Sequence, residues 1–380
     1  MLEIGGLGVH MVNAIAPATA DWRRLETHSS SLYQSLAWCS HWLDLVGRAQ
    51  GVEPLIVVGR DHTGQALFLL PFQVRRRMGC RLLEWLTMPH ATYGHGLFAP
   101  GFDAVAWFRA HGNILLAALK GIDAFNLHDM PAHLRGQDHP LSFLFNMKAA
   151  NLSYGTDLTP DFAAYYAAKR SGETRRTARK RDGKLATIGE LDFRLPEMGT
   201  ATHEVIDAMF RHQEDRLAES GVFGVFGAEE RAFVHRLADE TSGQGRLLLP
   251  YCLRIKGEIS VVLLGGLHAN TYWALISSLA PGPARKFSPG DYALRHMMED
   301  LCGKGVAHLD FASGDTGYKL QWKDEEIPLH LCIRARSWRG LAPALFLMLR
   351  YGVKRMVKRT PALMELATAV RRLRGKSRPD

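Results

Sequence analysis

Hydrophobic positions in the first part of the chain switch between a helical and a strand-like rhythm. Leu36, Trp38, Cys39, Trp42, Leu43 and Val46 recur at spacings of mostly three and four, which predicts a helix. Pro54-Leu-Ile-Val-Val-Gly59 and Gln65-Ala-Leu-Phe-Leu-Leu-Pro-Phe72 are apolar runs parted by the polar Asp61-His-Thr-Gly64, so they predict a β-hairpin. Arg81–Leu86 predicts a further short strand, Phe102–Leu119 a helix, and Ala124–His128 a strand.

Beyond residue 150 the order repeats. Phe162–Leu185 predicts one long basic helix, Glu204–Ala218 an amphipathic helix and Glu229–Glu240 another. Leu247–Ile255 and Ile259–His268 predict strands joined by a turn at Lys256-Gly-Glu258, and Ala269-Asn270 leads into a third strand, Thr271–Ser277. A helix from Ser288 to Cys302 and a terminal strand at Gly305–Phe311 follow. The shared order of hairpin, hairpin, helix and strand predicts a structural duplication without a residue-level repeat. The expected organisation is a first lobe at 1–150, a second at 151–336 and a tail at 337–380, the fold class being α/β (α+β).

Composition agrees with a globular chain. Its 380 residues favour two or three domains of about 100–200 residues each. Apolar residues at 47% and charged residues at 22% exclude a disordered or collagen-like protein. The net charge of +9 is concentrated: residues 337–380 hold eleven Lys/Arg against Glu365 and Asp380, which leaves the rest without net charge. The basic balance therefore describes a tail and gives no reason to expect nucleic-acid binding by the body. Five cysteines without a C-x-x-C pair suggest reduced, buried thiols and a cytoplasmic location. Met1-Leu-Glu-Ile-Gly-Gly has no basic stretch followed by an apolar run, so no secretory leader is expected.

In the tail, Leu345, Phe346, Leu349, Val353, Met356 and Val357 share one face and Arg350, Lys354 and Lys358 another. A second helix is expected at Ala362–Leu373. The apolar run Leu341–Leu349 is short of the ~20 residues that span a bilayer. Residues 341–374 read as an interfacial segment on an anionic membrane, peripheral on its inner face, or as a helix docked on the body with its cations in solvent.

No G-x-S-x-G elbow, P-loop, H-E-x-x-H or Gly-rich fingerprint is present, which weakens hydrolase, nucleotide-hydrolysing and zinc-protease readings, and no metal is expected. Three elements in the second half carry candidate chemistry. Gly265-Gly266 interrupts an apolar strand and marks either a bulge that splays it from Thr271–Ser277 or a correction of sheet twist. Arg285-Lys-Phe-Ser-Pro-Gly290 opens a helix: Ser288 as N-cap, Pro289 at the first position and Asp291 closing a capping box, with Arg285 and Lys286 beside a helix end suited to phosphate. Asp310-Phe-Ala-Ser-Gly-Asp-Thr-Gly-Tyr-Lys-Leu-Gln-Trp322 ends a strand in a polar loop that delivers Tyr318, Lys319 and Trp322. Asp310, Asp315 and His268 are candidate proton acceptors and Tyr318 a proton donor, each also explicable as a structural group. The basic run Lys169–Lys184 is either a solvated face or a contact for phosphates.

With these elements in order, the chain resembles the GNAT acyltransferase superfamily, and within it the cellulose-biosynthesis CelD-like branch related to Fem-type aminoacyltransferases. The resemblance rests on Arg175-Arg176 with Arg179-Lys180, on Phe287-Ser-Pro-Gly290, and on Asp310-Phe311 with Gly314, Tyr318-Lys319 and Trp322. It extends more weakly to Trp38, Asp61–Gly64 and Leu70-Pro71, covering most of residues 30–335. It implies two GNAT-like lobes of mixed, mostly antiparallel sheet flanked by helices, with the active cleft in the second lobe or between lobes. It also implies acetyl-CoA or another acyl-CoA as donor, with Gly265, Gly266, Arg285, Lys286, Ser288 and Gly290 on the donor. Arg176, Arg179, Lys180, Lys319 and Trp322 would contact a small-molecule or sugar acceptor in exopolysaccharide or cell-envelope synthesis. The pyrophosphate loop departs from the R/Q-x-x-G-x-G/A pattern, since Ser288 stands for its first Gly and Pro289 lacks an amide. An aminoacyl-tRNA donor and a non-catalytic accessory role are the alternatives.

Overall fold

The structure is a computed structural model that describes residues 1–27, 31–218, 226–243, 245–314, 317–360 and 363. Asp315 and, apart from residue 363, the second tail helix expected at Ala362–Leu373 lie outside the described residues. Two compact units form: residues 1–153 with 313–314 and 326–360 in the first, and residues 154–312 with 317–325 in the second.

The first unit runs β1 (Leu2–Ile4), β2 (Leu7–Val12), α1 (Thr19–Leu25), α2 (Leu36–Trp42), β3 (Glu53–Arg60), β4 (Ala66–Arg77), β5 (Cys80–Trp85), β6 (Leu97–Phe98), α3 (Ala104–Ala118) and β7 (Ala124–Pro131). Two short strands follow, β8 (His133–Leu134) and β9 (Gln137–Asp138), and the chain passes to the second unit along β10 (Met147–Asp157). Strands β2, β3, β4 and β5 pair antiparallel in sequence, whereas β5 and β7 pair in parallel across the crossover helix α3. Alternation is blurred in β4 because both of its faces are covered: Phe68, Leu70 and Phe72 are buried, and so are Leu69 and Gln73. Asp61 shapes the hairpin turn as expected, its Oδ1 accepting from the amides of Thr63 and Gln65 at 2.9 Å each.

The second unit repeats the plan. It holds α4 (Phe162–Lys169), α5 (Gly172–Ala186), β11 (Leu191–Arg194), α6 (Thr200–Ala218), α7 (Ala228–Ala238), the small pair β12 (Thr241–Ser242) and β13 (Gly245–Arg246), and β14 (Leu248–Ile255). Then come β15 (Glu258–His268), β16 (Thr271–Leu279), α8 (Pro289–Gly303), β17 (His308–Ser313) and α9 (Gly317–Trp322). Strands β11, β14, β15 and β16 pair antiparallel in that order, and β16 pairs β17 in parallel across α8. Leu185 of α5 and Ala293 of α8 cover the face made by Leu253, Ile255 and Val261. By alternation Ser278 points the other way, where His212 of α6 meets its hydroxyl at 3.3 Å.

The chain then returns to the first unit as β18 (Glu325–Ala335), antiparallel to β7, and α10 (Leu341–Arg359). Two expectations need correction. The basic segment is not one helix: Arg170 is extended at φ −132°, and Ser171 starts α5 by accepting the Thr174 amide on its hydroxyl at 3.2 Å. The strand at His308–Ser313 is not terminal, because β18 follows it.

Candidate active site

The expected opening between β15 and β16 is absent. These strands pair from Val261↔Leu279 to His268↔Thr271, with one register shift at Leu264/Gly265. The bulge is there, but it does not part the strands. Gly265 has a packing reason instead: a Cβ on it would lie 2.2 Å from the ring of Tyr272, which is buried and whose hydroxyl donates to the carbonyls of Leu249 and Leu263 at 3.4 and 3.3 Å. Gly266 sits opposite Trp273 in the same ladder.

The opening lies one strand further on. β16 and β17 are paired only at Thr271↔His308, Tyr272↔Leu309 and Trp273↔Asp310, although both strands continue. Past this fork Ala274, Leu275 and Ile276 are partly exposed and Ser277 is exposed, which is unusual for an internal strand. Alternate backbone groups of β16 past Trp273 point towards the side that β17 has left.

Asp310 stands at the fork and is 2% exposed. Its Oδ1 accepts the amide of Ala312 at 2.6 Å, while Lys319, 7% exposed, donates from Nζ to the Ala312 carbonyl at 3.3 Å. Ala312 needs both holds, since its φ of +59° is a left-handed conformation that costs an L-residue about 1–2 kcal/mol. Opposite Asp310, the Trp273 indole donates to the carbonyl of His268 at 3.1 Å, which ties the end of β15 to the fork. Tyr318 packs edge-on against Phe311 with ring centroids 6.1 Å apart. Burial raises the Tyr272 phenol far above the ordinary range, and the nearby Tyr318 raises it further. Asp310, Tyr318 and Lys319 are thus joined through Phe311 and Ala312, and the backbone of His268 is held beside them by Trp273. Trp322 does not join them: it is fully buried, stacked on Tyr165 and Tyr166 at 6.1 and 5.6 Å, with the Arg170 guanidinium 4.5 Å from its ring.

The turn before α8 differs from its expected role. Ser288 does not cap with its side chain; it sits at φ +56° and ψ +54°, and its carbonyl accepts the amides of Asp291 and Tyr292. That is a left-handed conformation that a glycine enters freely and a serine rarely adopts. Pro289 has no amide, which makes Gly290 the first N–H donor of the helix. Arg285 folds back, donating from Nε and Nη2 to the carbonyls of Ala280 and Leu279 at 3.0 and 3.1 Å, and Lys286 lies over the Phe287 ring. Asp291 takes no part in a capping box: Arg295 and Arg170 hold it at 3.2 and 3.7 Å.

Beside this helix end lies a polar cavity of about 300 Å³, lined among others by Tyr166, Arg170, Thr174, Thr177, Arg181 and Asp291. Sequence reasoning missed it, because its walls come from four separate helices; only the cations of the basic run hinted at Arg170 and Arg181. Arg176, Arg179 and Lys180 are exposed on the outer side of α5, and Arg175 is partly buried. Among the described residues no group of His, Cys, Asp and Glu is placed to hold a metal ion.

Residues 172–320 match the family model described as an acetyltransferase (GNAT) domain. Among curated proteins, none matches the chain in sequence. Solved structures with the same fold include a conserved protein of unknown function from Bacteroides thetaiotaomicron VPI-5482, with a TM-score of 0.51 and 12% identity over 86% of this chain and 100% of that one. The C-terminal domain of a candidate lysylphosphatidylglycerol synthetase from Agrobacterium fabrum is similar at a TM-score of 0.53, 11% identity, and 88% and 97% coverage. FemX is similar at a TM-score of 0.52, 10% identity, and 84% and 96% coverage. At these identities the likeness is one of fold. The chain has a GNAT-like fold of mixed α/β architecture.

Proposed function

We propose that the chain is an acyltransferase that takes an acyl group from acetyl-CoA or another acyl-CoA and passes it to an amine or hydroxyl of a small-molecule or sugar acceptor. The observation that carries this reading is the fork between β16 and β17, paired at three positions and followed on β16 by the partly exposed Ala274, Leu275 and Ile276 and the exposed Ser277. In this reading the thioester enters the fork, where alternate backbone amides of β16 receive the oxyanion as the acceptor attacks the acyl carbon. Asp310 or His268 takes the acceptor's proton, the C–S bond breaks, and Tyr318 protonates the departing thiolate. Lys319 positions Ala312 and thereby the fork. The Arg285–Gly290 turn and the start of α8 take the phosphates, with Gly265 and Gly266 supporting the strand behind. Asp315, outside the described residues, is a further proton acceptor in this reading. Cell-envelope or exopolysaccharide assembly is the proposed setting, supported by a fold neighbour named for a lysylphosphatidylglycerol product.

The exposed cations Arg176, Arg179 and Lys180 favour one second reading, an aminoacyl-tRNA donor. Titration with acetyl-CoA and with tRNA separates the two. An acyl-CoA enzyme binds in the micromolar range, weakened about tenfold by Arg285→Ala as one phosphate contact is lost. A tRNA-dependent enzyme binds tRNA with a steep salt dependence that neutralising Arg176, Arg179 and Lys180 flattens. Asp310→Asn is expected to leave donor affinity in place and lower turnover by about 10²–10⁴. Binding of neither donor would leave only the accessory role.

A further inference from the structure

Helix α10 is apolar on two opposite sides. Its inner side is Pro343, Ala344 and Leu347, buried with Cys80, Leu82, Ala124, Leu331 and Ile333 of the first unit, with Met348 and Tyr351 at the margin. The helix is held tightly at its start. A Cβ on Gly340 would lie 1.9 Å from the Asp123 carbonyl oxygen, Arg339 donates to the Gly79 carbonyl at 3.2 Å, and the Cys80 thiol donates to the Arg339 carbonyl at 3.1 Å.

The outer side is bare. Leu341, Leu345, Phe346, Leu349, Val353 and Met356 are between 52% and 61% exposed, and the preceding Trp338 is 81% exposed. These are seven of the thirteen large hydrophobic residues exposed among the described residues, so the rest of the surface does not share this character. At 100° per residue the six helical positions fall within one arc opposite the docked face. Arg350 and Lys354 border that arc on one side, and Arg355 and Arg359 on the other. No Asp or Glu occurs from residue 337 to 360.

We infer that the outer face of α10 docks the protein on an anionic lipid bilayer, with the apolar arc at the acyl boundary and the cations among the headgroups. Chain chemistry selects this occupant. A second copy seated on the same face would bring two cationic borders together with no acidic partner on the helix, whereas anionic lipid neutralises them. Lys and Arg stems can lie along the apolar arc and lift their charges to the headgroups. Among the described residues no helix is long and apolar enough to cross a membrane, so the contact is interfacial. The inference does not depend on the chemistry proposed for the second unit.

Co-sedimentation of the full chain with vesicles of phosphatidylcholine alone, and of phosphatidylcholine with roughly a third phosphatidylglycerol, tests it. The protein is expected to pellet with the anionic vesicles and at least about tenfold more weakly with neutral ones or in about 0.5 M salt. The outer-face variant Leu345→Ser/Leu349→Ser/Val353→Ser and the charge variant Arg350→Glu/Lys354→Glu should each weaken anionic binding at least about tenfold with an unchanged circular dichroism spectrum. Failure to pellet at any composition would overturn the inference, as would a serine variant that pellets like the parent. A dimer that dissociates in the serine variant, without vesicle binding, would assign the face to a second copy instead.

Discussion

Both units contain the same device, a parallel strand pair that parts after a few residues, and they treat it in opposite ways. In the first unit β5 and β7 pair only at Leu82↔Ala124 and Leu83↔Phe125. The next residues, Glu84 and Asn126, close the gap with a side-chain hydrogen bond of 2.7 Å, and Gln73 adds one to Glu84 at 3.1 Å and one to the Met88 carbonyl at 3.3 Å. Arg75 lies 3.6 Å from Glu84, and Glu84 and Trp85 are 3% and 1% exposed. In the second unit Ala274 and the buried Phe311 occupy the positions after the last pair, and β16 is partly exposed from Ala274 to Ile276 and exposed at Ser277. A plugged fork contributes to stability and an open one can admit a ligand. The fold alone therefore does not distinguish the two forks; the side chains at each parting do.

The largest effect is expected from reversing this difference. Ala274→Trp should fill the second fork and lower acyl transfer by about 10³ or more, a loss of roughly 4 kcal/mol of transition-state stabilisation, with the melting temperature little changed. Transfer that persists would place the reaction elsewhere. Opening the first fork should do the converse. Glu84→Leu leaves the buried Arg75 unpaired, for which about 3–5 kcal/mol of stability is expected to be lost in urea unfolding, with donor affinity unchanged.

Acid should also act on the first unit. His95 is buried and its pKa is lowered to about 4, and His139 is shifted down by burial and by His95 itself. Both rings are neutral, His139 accepting the Leu141 amide on Nδ1 at 3.1 Å and donating from Nε2 to the Gly94 carbonyl at 3.0 Å. The unfolded chain binds these protons near pH 6.5 and the folded one does not. Stability should be fully present above that pH and fall as pH drops towards 4, by about 3 kcal/mol from His95 alone. Urea midpoints at pH 7 and pH 5 check this; equal values would contradict it.

The smallest effect concerns the turn before α8. Ser288→Gly should relieve a left-handed serine and raise the melting temperature by a few degrees, on the order of 1–2 kcal/mol, whereas Ser288→Val should lower it.

Much of the architecture was legible in the chain. The hairpin at Asp61–Gly64, strands β3, β4, β5, β7 and β14 to β17 and the crossover helices follow from period and turn chemistry, whereas β1, β2, β10 and β11 were not expected. Strand β18 was not expected although Ile327, Leu329, Leu331 and Ile333 alternate as buried positions; Pro328, on the opposite face, reads against a strand. The fork was placed one strand too early because Gly265-Gly266 looked like its cause. A ring packed over Gly265 explains that glycine, and only three-dimensional pairing reveals where β16 and β17 separate. Asp310 and Lys319 meet at the backbone of Ala312, Tyr318 packs on the neighbouring Phe311 and Trp273 holds the His268 carbonyl, whereas the small Ala274 and the left-handed Ala312 carry no signal in sequence. Arg170 and Arg181 were hidden for a related reason, as parts of a cavity built from separate helices.

Hydrogen exchange of the full chain with and without saturating acetyl-CoA tests the central claim most directly. The account predicts new protection in residues 274–278 of β16 and 311–313 of β17, with residues 84–86 and 126–128 of the first unit unchanged. Protection confined to the first unit, or none anywhere at saturation, would contradict it.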